Sequence, residues 1–378
     1  MSDQLVPLVS VTACNRYDYS EIDTALYFLL EPVGGLKALI SPGQKVLLKP
    51  NLLAAAKPSE AVTTHPLVIR VMADMIRKAG GQVYIGDSPG SDDQEYAHRI
   101  AGYEKVCEET GAKLLLFREV GECKSSYTHD LVLPLAAELE EIDLVINVAK
   151  FKTHPLTGMT AAVKNMYGTV AGKNKKKFHL EHPLPLDFSR ILVEVCLAVK
   201  PAFSLIDAVV SMEGLGPRRG KPRQTKLLLG SVNPFALDRI MADIAGFRPE
   251  QVTTVVIAGQ MNIPGAKIED IKVHGLKPEQ CRFKNFDRGA LTGGRVNRLL
   301  TNIPLAWLKN FIYARRPYPY IDQQCCTSCG ECLKNCPLQI ITAEDKIPEI
   351  NYYECIRCYC CQEVCAHGAI KLSRNIVT

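Results

Sequence analysis

Ten of the chain's 15 cysteines fall between Cys325 and Cys365, and eight of those ten obey a repeated spacing. Cys326, Cys329, Cys332 and Cys336 follow C-x2-C-x2-C-x3-C with Pro337 behind them; Cys355, Cys358, Cys361 and Cys365 repeat the run 29 residues later. Thiolates are soft donors, and three of them in a tight loop reach three corners of one [4Fe–4S] cube, while the fourth lies too far along the chain and serves the other cube. The expected ligand sets therefore cross over: Cys326, Cys329, Cys332 and Cys365 for one cluster, and Cys355, Cys358, Cys361 and Cys336 for a second. Zinc would use paired C-x2-C knuckles with longer separations and four local ligands, a pattern that two triple-plus-one runs do not match. Cys325 and Cys360 fit no ligand position in this register and read as extra thiols.

The rest of the chain offers polar clusters rather than one sharp motif. In parallel α/β sheets ligands bind beyond the carboxyl ends of strands, and four polar segments follow strand-like runs here. They are Lys49-Pro50-Asn51 with Thr63-Thr64-His65-Pro66; Gly86-Asp87-Ser88-Pro89-Gly90; Lys150-Phe151-Lys152-Thr153-His154 with Lys164-Asn165; and Asp207 through Glu213-Gly214-Leu215-Gly216-Pro217. Lys49, Lys150, Lys152 and Lys164, with Asn51, Asn165 and the amides after Thr64, are candidates to hold a phosphate or carboxylate. His65 and His154 are candidates to supply protons alongside electrons, as the reduction of an unsaturated or carbonyl group requires. Asp87 can orient a histidine or hold a cation. Each residue also has a structural reading: Thr64 as a helix cap, His65-Pro66 as a helix start, Gly86–Gly90 as a turn. As a set, lysines and histidines after several strands are costly to bury for packing alone, which points to a pocket for a small anionic ligand.

The elements that must position these groups alternate between strand and helix. Strands are predicted at Val46–Lys49, Val83–Gly86, Leu114–Phe117, Leu144–Val148, Phe203–Ile206 and Leu227–Leu229, and helices from Pro66 to Gly80 and over Glu104–Thr110, Phe188–Val199 and Pro234–Ala245. That order predicts an α/β domain with a largely parallel sheet flanked by helices over residues 1–286. A connector at 287–324 carries an apolar helix, Leu305–Ala314 with Trp307, and a small α+β, ferredoxin-like domain follows at 325–378.

Two resemblances sharpen this reading. The last fifty-odd residues resemble the bacterial two-[4Fe–4S] ferredoxins, including the apolar Ile340-Ile341 and Ala369-Ile370 after each run; Ala366 stands where that family usually has proline. Lys49-Pro50-Asn51, Val62-Thr63-Thr64-His65-Pro66, Gly86-Asp87-Ser88-Pro89-Gly90, Lys152-Thr153-His154, Lys164-Asn165 and Met212-Glu213-Gly214-Leu215-Gly216-Pro217 resemble the domain of unknown function family 362, from about Val46 to Gly265. That resemblance implies an α/β fold and an iron–sulfur protein, and no settled reaction.

Composition narrows the class further. With 378 residues, 47% hydrophobic and 22% charged, the chain reads as a globular protein of more than one core. No apolar run is long enough for a membrane span, and Met1-Ser2-Asp3-Gln4 does not read as a signal peptide, so a reducing, cytoplasmic setting is expected. The net charge of +5 lies in the body, because the cysteine-rich tail is slightly acidic, and suits an anionic ligand or an acidic, soluble redox partner protein. No nucleic-acid motif accompanies the lysine runs. A dinucleotide fingerprint, a phosphate loop and a nucleophile elbow are missing, while flavin binding has no short signature to test. The functional expectation is an oxidoreductase passing electrons from the tail to a small anionic substrate or cofactor in the body, as in anaerobic metabolism. The alternatives are a non-catalytic electron carrier whose body docks a partner, and a redox or ligand sensor.

Overall fold

Strand-forming runs along the body collect into one mixed, nine-stranded sheet. The computed structural model describes residues 6–90, 93–125, 127–129, 131–289, 316–343 and 347–376. In chain order the strands are β1 (Leu8–Ala13), β2 (Lys45–Lys49), β3 (Gln82–Ile85), β4 (Lys113–Leu114), a separate small pair β5 (Cys123–Lys124) and β6 (Val132–Leu133), then β7 (Leu144–His154), β8 (Gly158–Thr160), β9 (Phe203–Glu213), β10 (Lys221–Ser231) and β11 (Lys272–Gly275). Across the sheet the order is β11-β1-β10-β9-β7-β2-β3-β4, with β8 folded back on β7. The run from β9 to β4 is parallel throughout, whereas β10 is antiparallel to both β1 and β9. The sheet is thus largely parallel, as expected.

Side-chain alternation along the strands feeds two apolar layers. Val46, Leu48, Ile146, Val148 and Leu228 pack toward helices Tyr19–Leu30, Pro66–Lys78 and Tyr103–Thr110. Ile206, Leu227 and Leu229 face the other side, toward Pro234–Ile244, and helices Pro185–Val199 and Thr253–Gln260 pack together beside it. Three of these helices open with proline at the first turn, where a missing N–H costs nothing. At the last of them, Asn233 caps with its side-chain oxygen on the N–H groups of Phe235 and Ala236, both at 3.0 Å.

From β2 the chain winds outward through β3 and β4, then returns to place β7 and β9 on the other side of β2. The strand order therefore reverses between β2 and β7, and a crevice opens where their carboxyl ends diverge. Lys49 ends β2, and the Lys150–His154 segment ends β7.

The tail is small. Strand β12 (Tyr318–Ile321) pairs antiparallel with β15 (Ile370–Ser373), and β13 (Ile341–Thr342) with β14 (Glu349–Ile350). Two five-residue helices, Glu331–Asn335 and Cys360–Val364, complete it. Strand β12 joins the tail from residues that the sequence reading gave to the connector. The apolar helix expected at Leu305–Ala314 lies outside the described residues.

Leu228 sits fully buried in the central antiparallel strand, so Leu228→Ala is expected to lower the unfolding free energy by about 2–5 kcal/mol. Anaerobic urea unfolding followed by far-UV circular dichroism checks this.

Candidate functional site

At the strand-order reversal, buried lysines are held in two different ways. Lys49 Nζ lies 2.7 Å from Asp87 Oδ1 and donates to the Pro50 carbonyl at 2.8 Å; Asp87 Oδ2 accepts the Leu52 N–H at 2.7 Å. Lys150 Nζ donates to Asp207 Oδ2 at 2.9 Å and to the Tyr17 hydroxyl at 2.7 Å. Burial pushes both amines down, and each aspartate opposes it. Lys152 Nζ instead donates to neutral acceptors, Asn51 Oδ1 and the Val62 carbonyl, both at 2.7 Å. Burial, then the Lys164 charge, holds it well below the ordinary lysine value.

An amide chain fixes the geometry around these lysines. Asn165 Nδ2 donates to Asn147 Oδ1 at 2.8 Å, and Asn165 Oδ1 accepts from Asn51 Nδ2 at 2.9 Å, so Asn51 must turn its oxygen to Lys152. The Thr64 hydroxyl accepts the Asn51 N–H and donates to the Val148 carbonyl, tying the loop after β2 to β7. Gly168 needs its missing side chain: a Cβ there would stand 1.9 Å from Asp87 Oδ1 and 2.5 Å from Lys49 Nζ.

Beyond this network lies a cavity of ≈ 100 Å³ walled on one side by Asn51, Asp87, Lys152, Thr160, Lys164, Asn165 and Lys175, and on the other by Asn335, Cys360, Glu363 and Val364 of the tail. Thr160 Oγ1 is buried in this wall without a hydrogen-bond partner among the described residues. Lys175 donates to the Ser88 carbonyl, and burial pushes its amine down to about 7, with Asp87 opposing and Lys49 and Lys164 assisting. The carboxylates of the wall are engaged, Asp87 by Lys49 and Glu363 by His154. The lining holds more lysines than carboxylates, which suits an anion.

The tail closes this cavity through a clasp. His154 Nδ1 accepts the N–H groups of Leu156 and Thr157, which leaves Nε2–H to donate to Glu363 Oε1 at 2.8 Å. Burial alone would push the Glu363 carboxyl up; His154 and Lys164 outweigh it and hold Glu363 ionised. His154 itself is pushed down to about 4, chiefly by burial and then by Lys164, and stays neutral at pH 7. Lys176 Nζ donates to the Lys334 carbonyl at 2.9 Å, Arg218 to the Val364 carbonyl at 2.9 Å, and Tyr359 is buried among the body residues Phe178, Leu186 and Ile257.

Within the tail, Cys336, Cys355, Cys358 and Cys361 line one small cavity, walled otherwise by apolar residues such as Ile340 and Ile350. Cys326, Cys329, Cys332 and Cys365 line another, with Ile321 and Ala369. Four soft sulfurs in a largely apolar shell fit the chemistry of an iron–sulfur cluster. The first set is the inner one, because Cys361 shares its short helix with Cys360 and Glu363 of the larger cavity; the second is outer, with Cys329 exposed.

The residues singled out from the sequence separate under this geometry. Asn51, Asp87, Lys152, Lys164 and Asn165 line the cavity. Lys49 and Lys150 stand outside its lining in carboxylate pairs. Thr64 is not the helix cap: His65 is, its Nδ1 accepting the Leu67 N–H at 3.2 Å while its ring stacks on Tyr17 at 3.6 Å. His65 lies outside the lining, and His154 stands behind Glu363. Sequence reasoning missed Lys175, Thr160 and Glu363. Lys175 sits in the run Lys173–Lys177, which reads as loop charge, and only the fold turns it inward. Cys360, read as an extra thiol, faces the cavity.

A sheet-based body sealed by a cysteine-lined tail defines an iron–sulfur electron-transfer protein, and residues 318–366 match a 4Fe-4S dicluster domain. The chain belongs to the family described as domain of unknown function DUF362, which matches residues 46–243. It is 33% identical over 262 residues to a thylakoid-associated protein of Synechocystis sp., covering 68% of this chain and 81% of that one. An uncharacterized ferredoxin of Methanocaldococcus jannaschii is 36% identical over 55 residues, 14% of this chain and 89% of its own. Among solved structures, the lactate racemase apoprotein of Thermoanaerobacterium thermosaccharolyticum aligns over 60% of this chain and 54% of its own, at 13% identity and a TM-score of 0.38. No helix among the described residues is long and apolar enough to cross a membrane.

Removing one partner of a buried ion pair strands the other, so Lys49→Met is expected to cost about 3–5 kcal/mol of stability. Adding Asp87→Asn should recover part of that loss. Equal destabilisation by the single and double variants in urea unfolding would show that the pair is not what the lysine serves.

Proposed function

We propose that this protein is an iron–sulfur oxidoreductase that reduces a small anionic substrate held between body and tail. The observation that carries the reading is the shared cavity: Lys152 at the sheet's carboxyl edge, with Lys164 and Lys175 from the helices that follow, lines it together with Glu363 of the short helix that carries Cys361. In this reading the tail holds two [4Fe–4S] clusters, the inner on Cys336, Cys355, Cys358 and Cys361 and the outer on Cys326, Cys329, Cys332 and Cys365. Bound clusters of this type supply electrons singly.

The chain's own residues then have distinct tasks. Lys152 and Lys164 hold the anionic group, Thr160 Oγ1 gives it a hydrogen bond, and Asn51 and Asn165 fix Lys152 in place. Lys175, with its amine near neutrality, donates a proton to the group being reduced. Lys49, Lys150, Asp87, Thr64 and His65 build the wall, and His154 positions Glu363. The overall change is addition of two electrons and two protons to a carbonyl or unsaturated bond. Electrons come from a reduced protein carrier, one proton from Lys175 and the other from solvent.

Because burial depresses Lys152 and Lys175 in the empty cavity, an arriving anion raises both, and binding takes up protons. Affinity should therefore weaken as pH rises through about 7 and beyond, where the amines are neutral before binding. Mass spectrometry of small molecules copurified anaerobically, followed by reoxidation assays with them, identifies the substrate. Lys164→Ala should weaken its binding ~10–100-fold, the value of a charged hydrogen bond. Reoxidation by proteins alone, with salt-sensitive kinetics and no bound small molecule, would instead support an electron carrier with a docking body.

A further inference from the structure

The tail contains its own control, because the two cysteine loops repeat one another. Cys326-Thr327-Ser328-Cys329 and Cys355-Ile356-Arg357-Cys358 share spacing, and Ser328 and Arg357 both adopt a left-handed backbone, φ 54° and 53°. In each loop the main-chain N–H of that residue turns back on the first cysteine: Ser328 N–H donates to Cys326 Sγ at 3.4 Å, and Arg357 N–H to Cys355. At that position the backbone is the same, and the side chain differs.

Ser328 is exposed. Arg357 lies with its guanidinium 3.7 Å over the Tyr318 ring and donates to the Arg316 carbonyl at 3.4 Å. Arg316 donates in turn to the carbonyls of Ile356, Arg357 and Pro183. Arg316 is thereby held against the loop at 355–358, of which Arg357 is itself a member. Around the outer set Lys334 pairs with Glu331 and Lys371 with Asp322, and Arg218 donates to the Val364 carbonyl beside Cys365. Glu363 also faces the inner loop, but its charge is shared with His154 and Lys164.

A thiolate-ligated cube becomes more negative on reduction. Burial disfavours that change, and a nearby cation favours it. Each set buries two cysteines, Cys358 and Cys361 in the inner and Cys332 and Cys365 in the outer; of the two sets the outer has an exposed member, Cys329, so the inner cluster is the less hydrated and the harder one to reduce. A guanidinium at the same loop opposes this, and it acts in a less water-like medium where a charge carries further.

We propose that Arg357 sets the potential of the inner cluster, keeping it reducible so that electrons arriving at the exposed outer loop pass inward to the cavity. The proposal rests on the two-cluster reading above, and the experiment separates the two. Full-length protein is prepared anaerobically as wild type, Arg357→Ser and Ser328→Arg, assayed for iron, and titrated with EPR detection. Arg357→Ser should move one cluster's midpoint to a more negative potential and leave the other in place. Ser328→Arg should move that other midpoint to a more positive potential.

With iron intact, Arg357→Ser moving neither midpoint, or both alike, overturns the assignment. Wild type with far fewer than about eight irons per chain brings down the two-cluster reading itself, and the proposal with it. Should Arg357→Ser lose iron, Arg357→Lys and Arg357→Gln replace it. The lysine must keep the wild-type midpoint and the glutamine must lower it; equal midpoints in the two overturn the proposal.

Discussion

The hydrogen bond from His154 to Glu363 joins the end of a sheet strand to the short helix that carries Cys361, and the rest of the site depends on it. A buried carboxylate is tolerated only with partners that offset its lost hydration, and Glu363 has them in His154 and Lys164. Charge-assisted hydrogen bonds of this kind contribute on the order of 1.5–3 kcal/mol. Tyr359, buried against Phe178 and Leu186, adds apolar area beside it, so the tail is seated by packing and oriented by the clasp. Without that seating the cavity has only one wall.

The lysines around the cavity divide by what they face. Lys49 and Lys150 face aspartates, Asp87 just after β3 and Asp207 on β9, and form neutral pairs, which serve as fixed parts of the scaffold. Lys152 and Lys175 face carbonyl oxygens, which satisfy donors but do not balance a charge. The protein therefore holds amines in a disfavoured state at the cavity, and an anion relieves that state when it arrives. Local destabilisation of this sort is expected where a ligand completes the structure.

The chemistry of the tail was legible because it is local: eight cysteines at fixed spacing need no knowledge of the fold. The ends of β2 and β7 were legible too, since α/β alternation says where polar residues after strands must gather. Pairing was not. Lys150 and Asp207 are 57 residues apart, His154 and Glu363 are 209 apart, and no periodicity encodes either contact. Four lysines after strand ends looked alike, and only tertiary structure showed which had carboxylates. β10 was seen only at its apolar half, Leu227–Leu229; its first half is exposed and polar, and a bulge at Lys226 breaks the register between the two. Its antiparallel direction follows from the short connection to β9, which runs on to Glu213, past the Ile206 expected from the sequence.

The proximity of cavity and cysteines has a thermodynamic consequence under the proposed function. Glu363 lies two residues past Cys361, about 3 Å along the helix axis, so an anion in the cavity and a cluster on Cys361 would feel one another. Both bring negative charge, and a reduced cluster brings more. Linkage then requires that an anion bound before reduction makes the cluster harder to reduce, and that reduction loosens the anion by the same factor. The lysines between them temper this repulsion, and Lys175 can take up a proton as negative charge accumulates. When that proton passes to the substrate, the cavity loses one of the positive charges that favoured the anion, so chemistry and release of a product are favoured by the same transfer.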